Sequence, residues 1–244
     1  WEFAKTRFMN LFGIPNRFGA VTICYGPRSM VWLSTFGAAL VPDRKAGVTR
    51  MSIMWGRNPH EGGPSSWHAF LEAKKAGIAT MVVDPRFTEP ARQADLWVPI
   101  RPGTDAALAL GMMNVIVSED RHDAGFVDRH TSGFEDLRKR LDEYPPERSG
   151  ALCGIAPAKV VEAARFFAEN QPSNITIGVA AEHSPPNSIQ SIRAINVLLA
   201  LCGSVDTEGG MLIAHPSPGF ITDAAMELNE FLSPGQRTKQ IGSD

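Results

Sequence analysis

The stretch "MSIMWGRNPHEGGP", Met51–Pro64, decides the fold, because an apolar run breaks there into a glycine-rich polar turn. It is followed by "SSWHAFLEAKKAG", a helix pattern with Ser65 or Ser66 as the expected cap and Gly77 as the stop. The next segment, "IATMVVDP", is nearly all apolar, which is typical of a parallel strand covered on both faces. "LWVPI" and "NITIGV" are predicted as further strands. This order predicts an α/β fold with Rossmann-like, mostly parallel sheets and helices on both faces.

The composition favours a globular protein that binds small molecules or other proteins. With 244 residues, 43% of them hydrophobic, the chain can bury a sizeable core. The balance of 24 basic against 26 acidic residues argues against a nucleic-acid groove and a polybasic membrane surface. The three cysteines form no C-x-x-C pair, so the chain encodes no disulfide framework and no zinc or iron-sulfur site of its own. No apolar run approaches the roughly 18 residues of a membrane span.

The end of the first predicted strand carries Gly56, Asn58 and Pro59. In an open parallel sheet, ligands bind outside the carboxyl ends of the strands. Glycine lets the backbone come close to a pyrophosphate, and the N-terminus of the following helix supplies free N–H groups and a positive dipole. The alternative is an ordinary surface turn. The dinucleotide fingerprint G-x-G-x-x-G is absent, so this turn alone leaves the ligand open.

Acidic residues follow the next two strands. Asp84, in "VVDPR" with Pro85 and Arg86, can accept hydrogen bonds from the two ribose hydroxyls of a nucleotide. Asp105, in "RPGTDAA" after Gly103, can take two parallel N–H bonds from the Watson–Crick edge of guanine. The alternatives are that each carboxylate caps a helix and that Arg86 is a surface residue. Three such strand ends in this order are more specific than any one of them.

The elements "WGRNP", "VVDPRFTEPARQADLWVPIRPGTDAALALGMMNVIV" and "RAINVLLALCGSVDTEGG" resemble the central part of a molybdopterin oxidoreductase of the dimethyl-sulfoxide-reductase type. The resemblance runs from about Phe8 to about Ile213. It implies two molybdopterin guanine dinucleotides that hold one molybdenum or tungsten ion and move two electrons or an oxygen atom. The missing G-x-G-x-x-G is then expected, because the dinucleotide is of a different kind. Positions along one dinucleotide follow for the strand-end residues: Gly56 and Asn58 at the pyrophosphate, Asp84 and Arg86 at the ribose, and Asp105 at the guanine.

The resemblance also implies a metal ligand on a loop upstream of Gly56. In "TICYGPRSM" the Gly-Pro turn at Gly26 and Pro27 predicts such a loop. Cys24 is the expected ligand, because a soft thiolate suits molybdenum or tungsten and the bound ion keeps it deprotonated. The alternative is that Cys24 is a buried small hydrophobe.

Three more residues are expected beside the metal, namely Tyr25, Arg28 and His183. Tyr25 stands where formate dehydrogenases carry His, so "CYGPR" looks more like the members that act on sulfur oxyanions, arsenic or acetylene. Arg28 is expected to pair with an anionic substrate or a cofactor phosphate, or to be a surface residue. His183, with Glu182 beside it, is a candidate general acid or base, the alternative being a solvent-exposed loop histidine.

We expect residues 1–47 to form part of a metal-ligand-bearing α/β domain, 48–180 the Rossmann-like dinucleotide-binding domain, and 181–244 a return to the first domain and a C-terminal loop. Catalytic subunits of the family are several times longer, with an N-terminal iron-sulfur domain and a C-terminal domain for the second dinucleotide. The chain is therefore expected to be a fragment of a larger catalytic subunit, or a truncated homologue that cannot hold the full cofactor, and to be inactive by itself. The resemblance is to prokaryotic enzymes, which would place the protein in the cytoplasm or the periplasm. Its expected partners are a small-molecule substrate, an electron-transfer subunit or domain, and the two missing domains. The alternatives are a tungsten hydratase of the same family and a non-catalytic nucleotide-binding module descended from it.

Overall fold

The computed structural model of the chain describes residues 2–16, 19, 24–183, 187–214 and 232–239. In chain order, the described elements are α1 (Glu2–Phe12), α2 (Gly26–Phe36), β1 (Leu40–Pro42), β2 (Met51–Trp55), α3 (Pro59–Gly62), α4 (Pro64–Lys75), β3 (Ala79–Val83), α5 (Glu89–Gln93), β4 (Leu96–Val98), α6 (Asp105–Ser118), α7 (Ala124–His130), α8 (Phe134–Leu141), α9 (Pro146–Cys153), α10 (Pro157–Glu169), β5 (Ser173–Ile177), α11 (Val179–Glu182), α12 (Ser188–Leu201), β6 (Met211–Ile213) and α13 (Pro234–Arg237).

The chain divides into two compact units. One consists of Trp1–Ala20 together with His215–Asp244 and contains α1 and α13. The other is Val21–Ala214 and contains all the remaining elements, including both sheets. The domain boundaries expected after residues 47 and 180 stay a prediction.

Four parallel strands form the central sheet of the Val21–Ala214 unit, in the order β4-β3-β2-β5. Trp55, at the end of β2, lies opposite Val83 of β3 on one side and Ile177 of β5 on the other. The chain moves outward from β2 to β3 and β4 and then returns to β5 on the other side of β2. The gap between the carboxyl ends of β2 and β5 is therefore the topological switch point of the sheet. The predicted Rossmann-like parallel sheet is confirmed.

Helices cover both faces of this sheet. Trp55 and Val83 point into the main core, which includes residues of α6, α10 and α12. Met54 and Val82 point to the opposite face and pack with Phe70 of α4. Because successive strand residues are buried on opposite faces, the strands are continuous apolar runs, as the sequence indicates.

Helix α4 begins differently from the prediction. It starts at Pro64, with Gly63 in the N-cap position, so the predicted cap by Ser65 or Ser66 is wrong. Proline is favoured at the first helical position because its φ is already helical and its missing N–H has no partner there. The predicted stop is confirmed, since Gly77 follows the helix with a φ of 70°.

Two further strands, β1 and β6, form an antiparallel ribbon in which Leu40 lies opposite Ile213. The sequence pattern predicts neither of them, since each has 3 residues and their pairing joins distant parts of the chain. Within the described ranges, every helix is too short or too polar to cross a lipid bilayer.

Candidate functional site

The carboxyl ends of β2 and β5 meet at two glycines. Gly178 donates its backbone N–H to the Trp55 carbonyl oxygen at 2.8 Å, and Gly56 donates to the Val83 carbonyl oxygen at 2.7 Å. A Cβ atom on Gly178 would lie 1.8 Å from the carbonyl oxygen of Gly56. Only glycine fits at position 178, because the two strand ends are in backbone contact. This contact holds both sides of the switch point together.

Asn58 and Pro59 lead from this glycine turn into α3. Pro59 is buried as the first residue of α3, and Asn58 occupies the N-cap position without a side-chain cap bond. The Oδ1 atom of Asn58 is buried and has no hydrogen-bond partner among the described residues. Leaving a buried acceptor unpaired costs about 1–3 kcal/mol. Asn58 therefore has an acceptor available for an N–H or O–H group of a ligand.

Asp84 lies at the carboxyl end of β3 and is 5% exposed. Its Oδ1 accepts the backbone N–H of Arg86 at 2.8 Å, and the Nε of Arg86 lies 4.0 Å from the same oxygen. Trp97 donates its indole N–H to the Asp84 carbonyl oxygen at 2.8 Å. Pro85 and Arg86 are themselves exposed. The backbone thus fixes the Asp84 carboxylate, whereas the Arg86 side chain remains accessible to a ligand.

Asp105 is the first residue of α6 and follows a turn in which Gly103 has a φ of 81°. Its Oδ1 accepts the indole N–H of Trp55 at 2.7 Å. Burial raises the pKa of the Asp105 carboxyl group, and the bond from Trp55 opposes this rise. Because Trp55 ends β2, the bond ties the start of α6 to the switch point. Asp105 is more than a helix cap.

Cys24 and Tyr25 form the turn before α2. The predicted loop ends at Tyr25, because Gly26 and Pro27 are already the first two residues of α2. Proline is tolerated in the first turn of a helix. His183, after α11, has its Nε2 atom 3.0 Å from the Cys24 carbonyl oxygen, across 159 residues of sequence. His183 is half-buried rather than a solvent-exposed loop residue. A proton on Nε2 makes this contact a hydrogen bond that holds the Cys24 turn.

Arg28 lies inside the protein rather than on its surface. Its guanidinium group forms an ion pair with Glu182, which is 0% exposed, and donates to the Ile177 carbonyl oxygen. The same group stacks on the rings of Tyr25 and Trp32, 5.1 and 5.5 Å from their centroids. Burial raises the pKa of the Tyr25 hydroxyl, which the charge of Arg28 opposes. These contacts fasten the start of α2 to the end of β5.

Two further arginines, Arg44 and Arg57, also lie at this edge. Arg44 donates to Thr176 Oγ1 at 2.9 Å, and Arg57 donates to Ser66 Oγ at 3.0 Å. Arg57 directly follows Gly56 in the predicted ligand turn, and this position was a usable signal. Arg44 reaches β5 across 132 residues, for which the sequence contains no local signal.

The predicted site residues fall into two groups along the carboxyl edge of the sheet. The dinucleotide group lies at the ends of β2, β3 and β4: Gly56, Asn58, Pro59, Asp84, Pro85, Arg86, Gly103 and Asp105. The group expected at the metal lies at the end of β5: Cys24, Tyr25, Arg28 and His183. Among the described residues, no cluster of three or more His, Cys, Asp or Glu side chains is placed to hold a metal ion.

Sequence comparison connects the chain with known enzymes. The sequence profile of the family named molybdopterin oxidoreductase matches residues 47–233. Acetylene hydratase of Syntrophotalea acetylenica is 33% identical over 239 residues, which are 98% of this chain and 32% of that protein. The thiosulfate reductase molybdopterin-containing subunit PhsA of Salmonella typhimurium is 32% identical over 204 residues, which are 82% of this chain and 26% of that protein.

A solved structure shares the fold. Acetylene hydratase from Pelobacter acetylenicus superimposes with a TM-score of 0.85 at 32% identity, over 100% of this chain and 33% of that one. The chain thus spans about a third or less of the proteins it is similar to. The profile covers well over half of the chain and the structural likeness extends over all of it. The chain belongs to the molybdopterin oxidoreductase family.

Proposed function

We propose that this chain is the central cofactor-binding portion of a larger molybdenum or tungsten enzyme that uses two molybdopterin guanine dinucleotides. The observation that carries the proposal is the common edge of the sheet, where Gly56, Asp84 and Asp105 follow three neighbouring parallel strands. Ligands of open α/β sheets bind at this edge, beside the switch point. A nucleotide laid along the edge meets a glycine turn, a carboxylate and a second carboxylate in turn.

The residues present fit a guanine dinucleotide. The unpartnered Oδ1 of Asn58, beside Gly56 and Pro59, offers a polar contact at the pyrophosphate. Among the described residues, the Asp84 carboxylate accepts a hydrogen bond only at Oδ1, from the backbone N–H of Arg86, so Oδ2 can accept bonds from ribose hydroxyls. Asp105 is buried, and its carboxylate keeps lone pairs beyond the bond from Trp55, which suits the two N–H donors of guanine. Pro85 and Gly103 shape the two turns.

The second group of residues is proposed to hold the metal and its substrate. Cys24 supplies a thiolate ligand, and the bound metal–pterin group supplies two-electron or oxygen-atom transfer. His183 orients the Cys24 turn through the backbone carbonyl and is the candidate proton carrier. Tyr25 is 42% exposed, and its phenolic hydroxyl can donate a hydrogen bond. Arg28, paired with Glu182, holds this turn rather than meeting the substrate.

Metal analysis of the full-length protein tests this assignment. We expect molybdenum or tungsten together with a pterin in stoichiometric amount, and a Cys24→Ser variant with a changed metal spectrum and little activity. Cys153→Ser is the matched control, because burial raises the pKa of the Cys153 thiol to about 11, so that it stays protonated and is a poor ligand. An unchanged metal spectrum and full activity in Cys24→Ser would remove Cys24 from the ligand role.

Hydration without net electron transfer is the second candidate function. It is favoured by the similarity to acetylene hydratase, which extends over 98% of this chain in sequence and 100% in structure. Turnover of a small-molecule substrate without an electron acceptor would select the hydratase. A non-catalytic descendant, by contrast, predicts guanine-nucleotide binding that needs Asp84 and Asp105 but no metal.

The whole enzyme is proposed to need segments beyond this chain. The relatives are about three times or more its length, since it spans 32% and 26% of two of them. We propose that flanking domains contribute an iron-sulfur cluster and the site of the second dinucleotide, and that an electron-transfer subunit or domain serves the redox reaction. The isolated chain is accordingly expected to show no turnover. Metal-loaded, fully active protein from these 244 residues would refute this.

A further inference from the structure

Two arginines beside the switch point, Arg44 and Arg57, have no counter-charge among the described residues. Arg44 and Arg57 form no ion pair in the described part of the chain, and the Nε atoms of both are buried without a hydrogen-bond partner. Arg28, the third guanidinium group there, differs because Glu182 neutralises it. A partly buried charge is costly unless it is paired. Arg44 and Arg57 therefore have the unmet charge and donors expected of groups that receive an anion.

Arg57 lies against the start of α4. One of its amino groups donates to Ser66 Oγ at 3.0 Å and lies 3.3 Å from the position of a Cβ on Gly63. The first turn of α4 contains no acidic residue, and its N-cap makes no side-chain bond. Because a helix N-terminus carries partial positive charge, a cation placed there is unfavourable unless an anion joins it. The helix and the arginine together favour an anionic ligand.

Arg44 approaches the switch point from the side of β5. Arg44 donates to Thr176 Oγ1 at 2.9 Å. Thr176 is the second-last residue of β5, and Gly178, just after the strand, contacts Gly56. Arg57 follows Gly56, whose carbonyl oxygen lies against Gly178 at the end of β5, so both arginines belong to the same pair of strand ends. Burial lowers the pKa of Arg44, and the charge of Arg57 adds to this effect. Arg44 therefore lies on the β5 side of the switch point and Arg57 on the β2 side.

We propose that Arg44 and Arg57 form a binding site for a diphosphate group at the switch point between β2 and β5. This inference rests on the proposed function and assigns the charge recognition at that site to two side chains. The diphosphate bridge of a dinucleotide carries two negative charges, which match the two unpaired guanidinium groups. Arginine forms bidentate hydrogen bonds with phosphate oxygens, which suits the free Nε donors.

The test is calorimetric titration of the full-length, cofactor-free protein with inorganic pyrophosphate, and separately with GDP. We expect pyrophosphate to bind more tightly than inorganic phosphate and chloride to compete weakly. Arg44→Gln and Arg57→Gln should each weaken pyrophosphate binding about tenfold to hundredfold, the loss of one charge-assisted contact. Arg138→Gln, the same change on an exposed arginine of α8, should leave the affinity unchanged.

Three outcomes decide the proposal. Lower affinity in both variants with unchanged thermal melting supports it, because a purely structural role would lower the melting temperature instead. Unchanged affinity in either variant overturns it, as does a wild-type protein that binds pyrophosphate no better than chloride, which needs no variant to fold. A different result would refute the proposed function: GDP binding that does not depend on Asp84 or Asp105. Pyrophosphate binding at Arg44 and Arg57 would be unaffected by that result.

Discussion

Glu182→Ala is expected to destabilise the protein through the buried ion pair that holds the Cys24 turn. Glu182 is 0% exposed, and the Arg28 side chain is 13% exposed, so truncation leaves a largely buried guanidinium group without its counter-charge. Removing one partner of such a pair costs about 3–5 kcal/mol. Arg28 keeps the Ile177 carbonyl oxygen and two aromatic rings, which places the expected loss near the lower end, about 3 kcal/mol. Glu182→Gln keeps an acceptor and should cost about 1–2 kcal/mol.

Urea unfolding of the cofactor-free protein, followed by tryptophan fluorescence, measures these free energies. Glu162→Ala is the control: Glu162 pairs with Lys159 at 2.6 Å, but Glu162 is exposed and Lys159 only half-buried, so this pair should contribute less than about 1 kcal/mol. The Arg28→Met, Glu182→Leu double variant should recover most of the loss, because apolar side chains often replace a buried ion pair at little cost. The reasoning fails if Glu182→Ala costs no more than Glu162→Ala.

Asp105→Asn should stabilise the protein near neutral pH, in the same urea assay, while weakening GDP binding at least tenfold. Burial raises the pKa of Asp105 in the folded state. The Asp105 carboxyl group therefore stabilises the fold below its unfolded-state pKa, where it is protonated, and this contribution is lost as the pH rises through the folded-state pKa. The stability advantage of Asp105→Asn should accordingly vanish in acid. Gly178→Ala should cost about 3 kcal/mol or more, since its Cβ would meet the Gly56 carbonyl oxygen at 1.8 Å. Gly62→Ala, where a Cβ meets no atom within 4 Å, should stay within about 0.5 kcal/mol of the parent, and equal losses at both glycines would contradict the steric argument.

The central sheet could be predicted because each of its strands has a recognisable apolar sequence pattern of its own. The five residues of β2 are all buried, and the run "MSIMW" shows it without knowledge of its neighbours. The ribbon of β1 and β6 has no such signal, because three-residue strands acquire their identity only from the partner strand. The start of α4 is not predicted by its serines, because α4 begins at Pro64, before Ser65 and Ser66.

In the candidate site, too, residues with a local sequence signal could be predicted and residues that depend on distant contacts could not. Gly56, Asp84 and Asp105 could be placed on one edge because parallel strands direct their carboxyl ends to the same side. The roles of side chains that act across the sheet could not be predicted. The sequence predicts an anion partner for Arg28, whereas the structure pairs it with the buried carboxylate of Glu182. Arg44 lies beside β5 only because the fold brings it to Thr176, 132 residues away in the chain.

The bond between Trp55 and Asp105 also gives the protein an internal optical probe. An indole whose N–H is bound to a carboxylate changes its emission when the charge or hydrogen bonding of that carboxylate changes. Trp55 is fully buried, so its emission is not altered by direct contact with solvent. Arrival of a guanine at Asp105 can therefore be followed as a change in intrinsic fluorescence, and a Trp55→Phe variant identifies the part of the signal that comes from this site.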